Sequence, residues 1–391
     1  LVGSEMCIRD SLNTDIIVYK KMTRKKIIFS DNTLWGLINF RGKVIKHYVS
    51  KGYKVIVIAP QNEVSELQTE IPDYVTYIPV NMDRNKTNPI ADIKYFIKIY
   101  NIYKKEKPDY VFHYTIKPNI YGSIAARLNH IKSASMMAGL GYAFKNNNLI
   151  SFIGRTLYKI GLSCTNSLFL LNKDNMNEII RRKLCDKKKI ILLKGGEGLN
   201  LNDFPYMNNE SDIITFLFIG RVLYEKGYNE FIECAKEIRE EHPNVSFEIL
   251  GTIDPNYPNS VSKEKIEEDE SKGYIKYIGF TKDILSILKR KGIVVMLPSY
   301  YGEGLNRSLM EACATGKPII TTTNPGCIET VENGINGYLV APKNKDALVK
   351  AAKRYLKLSN GEKNAMSKAS RKIAENKFDI NNVILEYDKL V

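Results

Sequence analysis

From residue 26 onward the chain alternates short, nearly uninterrupted apolar runs with stretches of helical periodicity, which leaves few folds open to it. Strands are expected at 27–30, 54–60, 75–80, 110–114, 135–138, 167–171 and 190–193. A strand buried on both faces needs such a run, whereas a strand with one wet face alternates. Helical patterns fill the gaps, as at 90–105 and 120–129, with Pro118 placed for a first helical turn. A second series follows, with strands at 215–220, 246–251, 275–279, 293–297, 318–322 and 337–340 and helices at 229–240 and 282–290. Strand–helix alternation specifies parallel sheets, and two such series specify two doubly wound α/β domains. The join is expected between Gly195 and Asn209, where Gly, Asn and Pro cluster. Residues 345–391 read as consecutive helices.

Residues 1–21 show no usable periodicity, and Met22 opens a typical domain start, M-T-R-K-K-I-I-F-S. They are expected to lie outside the fold as a non-native or disordered leader, without the apolar stretch of a signal peptide. The domains are then expected at 22–198 and 199–370. Two parallel sheets that face each other put their strand C-termini on one cleft, where such sheets bind ligands.

Of the 391 residues 44% are hydrophobic, enough for a core, and no run approaches the roughly 18 apolar residues of a membrane span. Cysteines at 7, 164, 185, 234, 313 and 327 show neither a C-x-x-C pair nor zinc-like spacing, which argues for a reducing compartment and against a structural metal. The net charge of +15 is lopsided: residues 1–200 carry 32 Lys and Arg against 16 Asp and Glu, and the remainder is nearly balanced. A basic half faces nucleic acid, an acidic leaflet or a phosphorylated ligand, or else reflects lysine-rich solvated helices.

Two segments have the makings of a site. In 298–311, P-S-Y-Y-G-E-G-L-N-R-S-L-M-E, a buried strand gives way to a glycine-containing loop and then a helix. Backbone N–H groups at Gly304 and Leu305 would face an anion or hydroxyl there. Carboxylates at Glu303 and Glu311 suit vicinal sugar hydroxyls, although a dipole contact and a solvated helix position would also explain them. In 218–228 the first strand of the second domain ends at Gly220, followed by Arg221 and Lys226, a pair able to hold a diphosphate. Two surface cations in a loop are also ordinary.

Together, Gly220-Arg221…Lys226-Gly227, Glu303-x7-Glu311, the A-x-G-K-P-I-I run at 314–320 and the stretch 326–337 resemble family 4 of the retaining glycosyltransferases across residues 24–391. The resemblance implies the GT-B fold, two facing Rossmann-like domains with a cleft between them. It implies that Arg221 and Lys226 hold the donor diphosphate, that Glu311 binds the ribose and that Glu303 contacts the donor sugar. Gly220, Gly304 and Leu305 would line the same subsite, with Gly279 and Phe280 near the base. It implies no metal and no cofactor, and a C-terminal helix at 371–391 returning to the N-terminal domain. The acidic run at 267–270 reads as a solvated helix.

In the first half, 109–122 and 137–142 resemble a bacterial surface-polysaccharide branch that adds a hexose or N-acetylhexosamine to a polyprenyl-diphosphate-linked saccharide. The acceptor side would include Arg41, Tyr114, Lys117 and Gly141. Where the family usually has histidine directly before Thr-x-Lys, this chain has Tyr114, with His113 one residue earlier. A one-residue step reverses the face of a strand, so His113 is open to a catalytic-site or a core role. The basic half would meet the lipid diphosphate and an anionic leaflet at the cytoplasmic face of the membrane. Residues 149–162, with Arg155 and Lys159, would lie at that interface or pack as an ordinary amphipathic helix. Two alternatives are a nucleotide-sugar epimerase or phosphorylase of the same fold and, remotely, a nucleic-acid binder, for which no recognised motif is present.

Overall fold

The computed structural model describes residues 25–61, 71–82, 88–140, 144, 148–255, 257 and 259–391. The expected leader at 1–21 and Gly141 lie outside the described residues. Strands β1 (Lys26–Ser30), β2 (Lys54–Ala59), β3 (Thr76–Pro79), β4 (Tyr110–Tyr114), β5 (Lys132–Met137), β6 (Ser167–Leu170) and β7 (Ile190–Leu192) form the first sheet, in the order β3-β2-β1-β4-β5-β6-β7. Strands β8 (Thr215–Ile219), β9 (Ser246–Leu250), β10 (Lys276–Tyr277), β11 (Ile293–Leu297), β12 (Ile319–Thr322) and β13 (Gly337–Val340) form the second, in the order β10-β9-β8-β11-β12-β13. Every described pairing within these sheets is parallel, as in β1 with β4, where Ile27 faces Tyr110 and Ser30 faces His113.

The connecting helices are α1 (Leu34–Ser50), α2 (Pro89–Glu106), α3 (Ser123–Leu128), α4 (Leu149–Cys164) and α5 (Lys173–Arg181) in the first half. The second half adds α6 (Tyr228–Glu241), α7 (Lys263–Ser271), α8 (Ile284–Leu288), α9 (Arg307–Ala314), α10 (Lys345–Leu356), α11 (Asn360–Lys377) and α12 (Ile380–Asp388). Four elements depart from the expected pattern, the shortest being β10, which keeps two of the five residues at 275–279. β5 begins three residues early, because buried Ser133 and Ser135 interrupt its apolar run. The helix expected at 120–129 is a π turn over Pro118–Gly122 that continues into α3. α8 covers only half of 282–290, since the Asp283 side chain caps its start by accepting from the Ser286 N–H.

Each sheet reverses its winding once, at β1/β4 in the first and at β8/β11 in the second. The loops after those strands diverge and leave a crevice at each switch point. The two sheets are joined twice. Residues 194–199 lead out of the first domain, and the chain returns alongside them, with Leu199 N–H donating to Phe378 O at 2.7 Å. Gly195 must be glycine for this, as a Cβ there would lie 2.1 Å from the Lys377 carbonyl oxygen. Helix α11 buries Met366, Ile373 and Ala374 in the second core, whereas α12 buries Ile380, Val383 and Tyr387 in the first. The crossing therefore falls at Phe378-Asp379. Tyr387 packs between Phe112 and Phe169, at ring-centroid distances of 4.7 and 4.8 Å. His47 of α1 and Lys51 just after it hold Asp388 at 3.0 and 2.9 Å, which fixes the end of the chain on the first domain.

Candidate active site

The loop after β8 opens with Gly220, whose carbonyl oxygen would sit 1.7 Å from a Cβ on Gly251 at the end of β9. That close approach leaves room for only a bare backbone at Gly251 and carries the chain directly into Arg221. The Arg221 guanidinium lies 4.3 Å from the ring centroid of Tyr257 and 5.5 Å from that of Tyr301. The two phenol oxygens are 2.6 Å apart, and burial together with that hydrogen bond pushes the Tyr257 hydroxyl up to about 12. Among the described residues, no carboxylate stands within ion-pair distance of Arg221. Its charge is compensated by aromatic faces and phenol oxygens alone, an arrangement open to an incoming anion.

Lys226 ends a 3-10 turn over Tyr224–Lys226 and is buried. Gly227 follows at φ +87°, and a Cβ on it would lie 2.3 Å from the Pro298 carbonyl oxygen, so the loop after β8 seats directly on the end of β11. That contact delivers the Lys226 ammonium to the Glu303 Oε1, with which it pairs. Ser299 Oγ reaches the same carboxylate oxygen at 3.4 Å, and Asn306 Nδ2 donates to Oε2 at 2.8 Å. Asn306 is also the N-cap of α9, its Oδ1 accepting from Leu309 N–H at 3.0 Å. One side chain thus fixes both the helix start and the Glu303 carboxylate.

Glu311 lies in the second turn of α9 and is almost wholly buried. Burial pushes its carboxyl up, against the pull of Arg307, whose Nε donates to Oε1 at 2.8 Å. The Oε2 of Glu311 has no protein partner among the described residues. Arg307 in turn spans the cleft, its guanidinium 4.9 Å from the Phe40 ring centroid on α1. Gly279 takes φ +75° and accepts from Gly251 N–H at 2.8 Å, and Phe280 beside it is 43% exposed. Arg221, Lys226 and Glu303 therefore lie on the loops of one switch point and Glu311 on the helix that leaves it, with Gly220 and Gly279 shaping the backbone around them.

The expected residues Gly304 and Leu305 make the closest approach to the other domain. A Cβ on Gly304 would lie 1.7 Å from the Ala138 carbonyl oxygen, just past β5. Leu305 packs against the cores of both domains. Asn172, just past β6, donates its Nδ2 to Glu303 O at 3.0 Å and to Gly304 O at 2.6 Å. Sequence reading missed Asn172, and also Tyr257, Tyr301 and Arg307. For Asn172 a signal existed: Asn between a buried strand and a helical pattern marks an N-cap, and its Oδ1 accepts from Asn175 N–H at 2.8 Å.

The residues expected on the acceptor side do not form one group. Arg41 is buried, pairs with Glu197 of the interdomain segment at 2.5 Å and with Asp31 at 3.7 Å, and lies 4.4 Å from the Tyr114 ring centroid. Tyr114 hydrogen-bonds Tyr387 of α12 at 2.9 Å. Lys117 sits apart, paired with Asp92 of α2 at 2.6 Å. His113 is not brought to the Glu303 group. It points to the opposite sheet face from Tyr114, wholly buried, with Nε2 at 2.9 Å from Tyr103 OH and Nδ1 at 3.3 Å from Ser123 Oγ. Burial lowers its pKa to about 3, so it is a neutral link between α2, α3 and β4. In the acidic run at 267–270, Asp269 is buried and accepts from Tyr228 OH at 2.8 Å. No three His, Cys, Asp or Glu among the described residues are placed to hold a metal ion.

Residues 203–373 match the family model described as glycosyl transferases group 1, and residues 26–172 match the one described as glycosyl transferase 4-like. The N,N'-diacetylbacillosaminyl-diphospho-undecaprenol alpha-1,3-N-acetylgalactosaminyltransferase of Campylobacter jejuni is 28% identical over 327 residues, 79% of this chain and 83% of the relative. The UDP-Gal:alpha-D-GlcNAc-diphosphoundecaprenol alpha-1,3-galactosyltransferase of Escherichia coli is 28% identical over 315 residues, 77% and 79% of the two chains. A crystallised glycosyltransferase from Rickettsia africae superposes with a TM-score of 0.76 over 94% of this chain and 97% of its own, at 21% identity, a likeness of fold. The fold is GT-B, two facing Rossmann-like domains.

The environment of His113 has a measurable consequence. An unfolded histidine titrates near 6.5, so between about pH 6.5 and 3 the unfolded chain binds one more proton than the fold at this position. The stability that the neutral imidazole contributes is complete above that window and is lost as pH falls through it. Urea unfolding at pH 7 and pH 4 should therefore show a smaller acid loss for His113→Gln than for the wild type. Parallel losses in the two proteins would contradict the assignment.

Proposed function

Because residues 203–373 match the group 1 glycosyl transferases and residues 26–172 the glycosyl transferase 4-like model, we propose that the chain transfers a hexose or N-acetylhexosamine with retention of configuration. The donor is a nucleotide-sugar, most fittingly a UDP-sugar, and the acceptor is a hydroxyl of a polyprenyl-diphosphate-linked saccharide in surface-polysaccharide synthesis. The names of the Campylobacter jejuni and Escherichia coli relatives both specify a diphospho-undecaprenol saccharide, and the second specifies UDP-Gal.

The observation that carries this reading is Arg221, a partly buried guanidinium with no carboxylate partner among the described residues, beside a Lys226–Glu303 pair at a sheet switch point. The diphosphate lies against Arg221 and Lys226, and these charges act where negative charge develops as the sugar leaves. The free Oε2 of Glu311 accepts from the ribose hydroxyls. Glu303 accepts from the sugar, and the open face of Phe280 lies near the base. In the transfer step the bond from C1 to the β-phosphate oxygen breaks and the bond from C1 to the acceptor oxygen forms on the same face. The acceptor proton passes to the departing diphosphate, and in this proposal Arg221 and Lys226 screen that group in place of a metal ion.

The lipid-linked acceptor is met by the N-terminal domain. Helix α4 exposes Leu149, Phe152, Ile153 and Ile160 along with Lys159, and α2 exposes Ile90, Ile93 and Ile97 along with Lys94 and Lys98. Among the described residues no helix is long and apolar enough to cross a membrane. An apolar face edged by cations instead lies on an anionic leaflet, each cation near the surface contributing about 1 kcal/mol. The wild type should cosediment with phosphatidylglycerol vesicles and F152E/I153E should not. Equal sedimentation of both would remove the membrane from the account.

Turnover is the direct test of the transfer itself. UDP release from a UDP-sugar in the presence of a polyprenyl-diphosphate saccharide should fall about 10²–10³-fold in Arg221→Ala, with thermal unfolding little changed, and in Lys226→Ala, which also lowers the unfolding temperature because Glu303 loses its cation. Near-wild-type rates in both variants would contradict the diphosphate assignment. Donor conversion at full rate without acceptor would favour the epimerase or phosphorylase alternative.

A further inference from the structure

We infer that Asn172 is a positioning residue for sugar transfer, which acts from the opposite domain to aim two backbone N–H groups at the donor. The inference rests on the donor site lying at the loop after β11, as proposed above. The Asn172 side chain is buried and fully committed. Its Oδ1 caps α5 by accepting from Asn175 N–H, and its Nδ2 reaches Glu303 O at 3.0 Å and Gly304 O at 2.6 Å. Rotating the amide by half a turn would lose the cap and set an oxygen against two carbonyl oxygens, so the network permits one orientation.

Both carbonyls that it holds belong to consecutive peptide units. No described peptide bond is cis, and in a planar trans unit the C=O and the N–H point in opposite directions. With Glu303 O and Gly304 O drawn towards Asn172, the N–H groups of Gly304 and Leu305 are turned away from it. Those are the two donors that precede Asn306 and helix α9, and they lie in the same loop as the Glu303 carboxylate. The clamp exists only while the domains are together. It also needs the bare backbone of Gly304, since any side chain there would strike the Ala138 carbonyl. Closure of the cleft and orientation of the two N–H groups are therefore one event, read by one amide.

The cap and the clamp separate by mutation. Asn172→Ser and Asn172→Asp both keep an oxygen for α5, but neither keeps the amide donor, and the carboxylate of the second faces two carbonyl oxygens. Calorimetry with UDP and UMP, together with steady-state turnover, is the test. UMP affinity should stay at the wild-type value, because ribose binding at Glu311 does not pass through the loop. The preference for UDP over UMP should shrink and kcat should fall about tenfold or more, further in the aspartate variant. A merely structural role would weaken UMP and UDP alike, and that outcome, or an unchanged UDP preference and kcat, would overturn the inference. If the wild type itself shows no preference for UDP over UMP, the diphosphate site fails first, and the inference with it.

Discussion

The Lys226–Glu303 pair is the contact on which the rest of the site hangs. It joins the loop after β8 to the loop after β11, the two loops that diverge where the second sheet reverses its winding. Burying two charges is costly unless the remaining lone pairs and protons find partners. Here Ser299 and Asn306 supply partners to the carboxylate, and the Tyr301 ring lies 5.2 Å from the ammonium. Glu303 screens the ammonium that stands on the same crevice as the Arg221 guanidinium, so the two cations are partly balanced before an anion arrives. The site is thus set for an anion without two adjacent unscreened cations.

That pair also explains why the domain interface and the site cannot be separated. Glu303 holds Lys226 through its side chain and Asn172 through its carbonyl, so one residue is fixed from both domains. The same economy recurs at Arg307, which restrains Glu311 and lies against Phe40 across the cleft. Behind the site, Arg41 links α1 to Glu197 of the interdomain segment, and Tyr114 links β4 to Tyr387 of the returning helix. Residues expected to receive the acceptor therefore fix how the two domains sit together.

The layout of the sheets was legible because strands buried on both faces leave an unmistakable apolar run, and the site carboxylates and cations because they follow strand ends at short fixed spacings. The same double burial hid the facing of His113 and Tyr114. Where both faces of a strand are covered, alternation carries no information about which face meets the cleft. Asn172, Tyr257 and Arg307 were illegible as site residues for another reason: their partners Glu303, Tyr301 and Phe40 lie 131, 44 and 267 positions away, distances that no local pattern encodes. Lys317 shows the converse. It belongs to the run that resembles the family, yet it is buried, donates to Asn209 Oδ1 and Arg290 O at 2.8 and 2.9 Å, and is pushed down by burial to about 8. Its place in the pattern is that of a strut beneath the sheet.

The central claim is that Arg221, Lys226 and Glu311 form a nucleoside-diphosphate site complete in protein side chains. Titration of UDP, GDP and ADP into the purified protein with excess EDTA, followed by calorimetry, addresses it directly. The account predicts saturable binding of one UDP per chain without metal, with GDP and ADP weaker. Absence of binding by all three, or binding of UDP only when a divalent cation is restored, would contradict it.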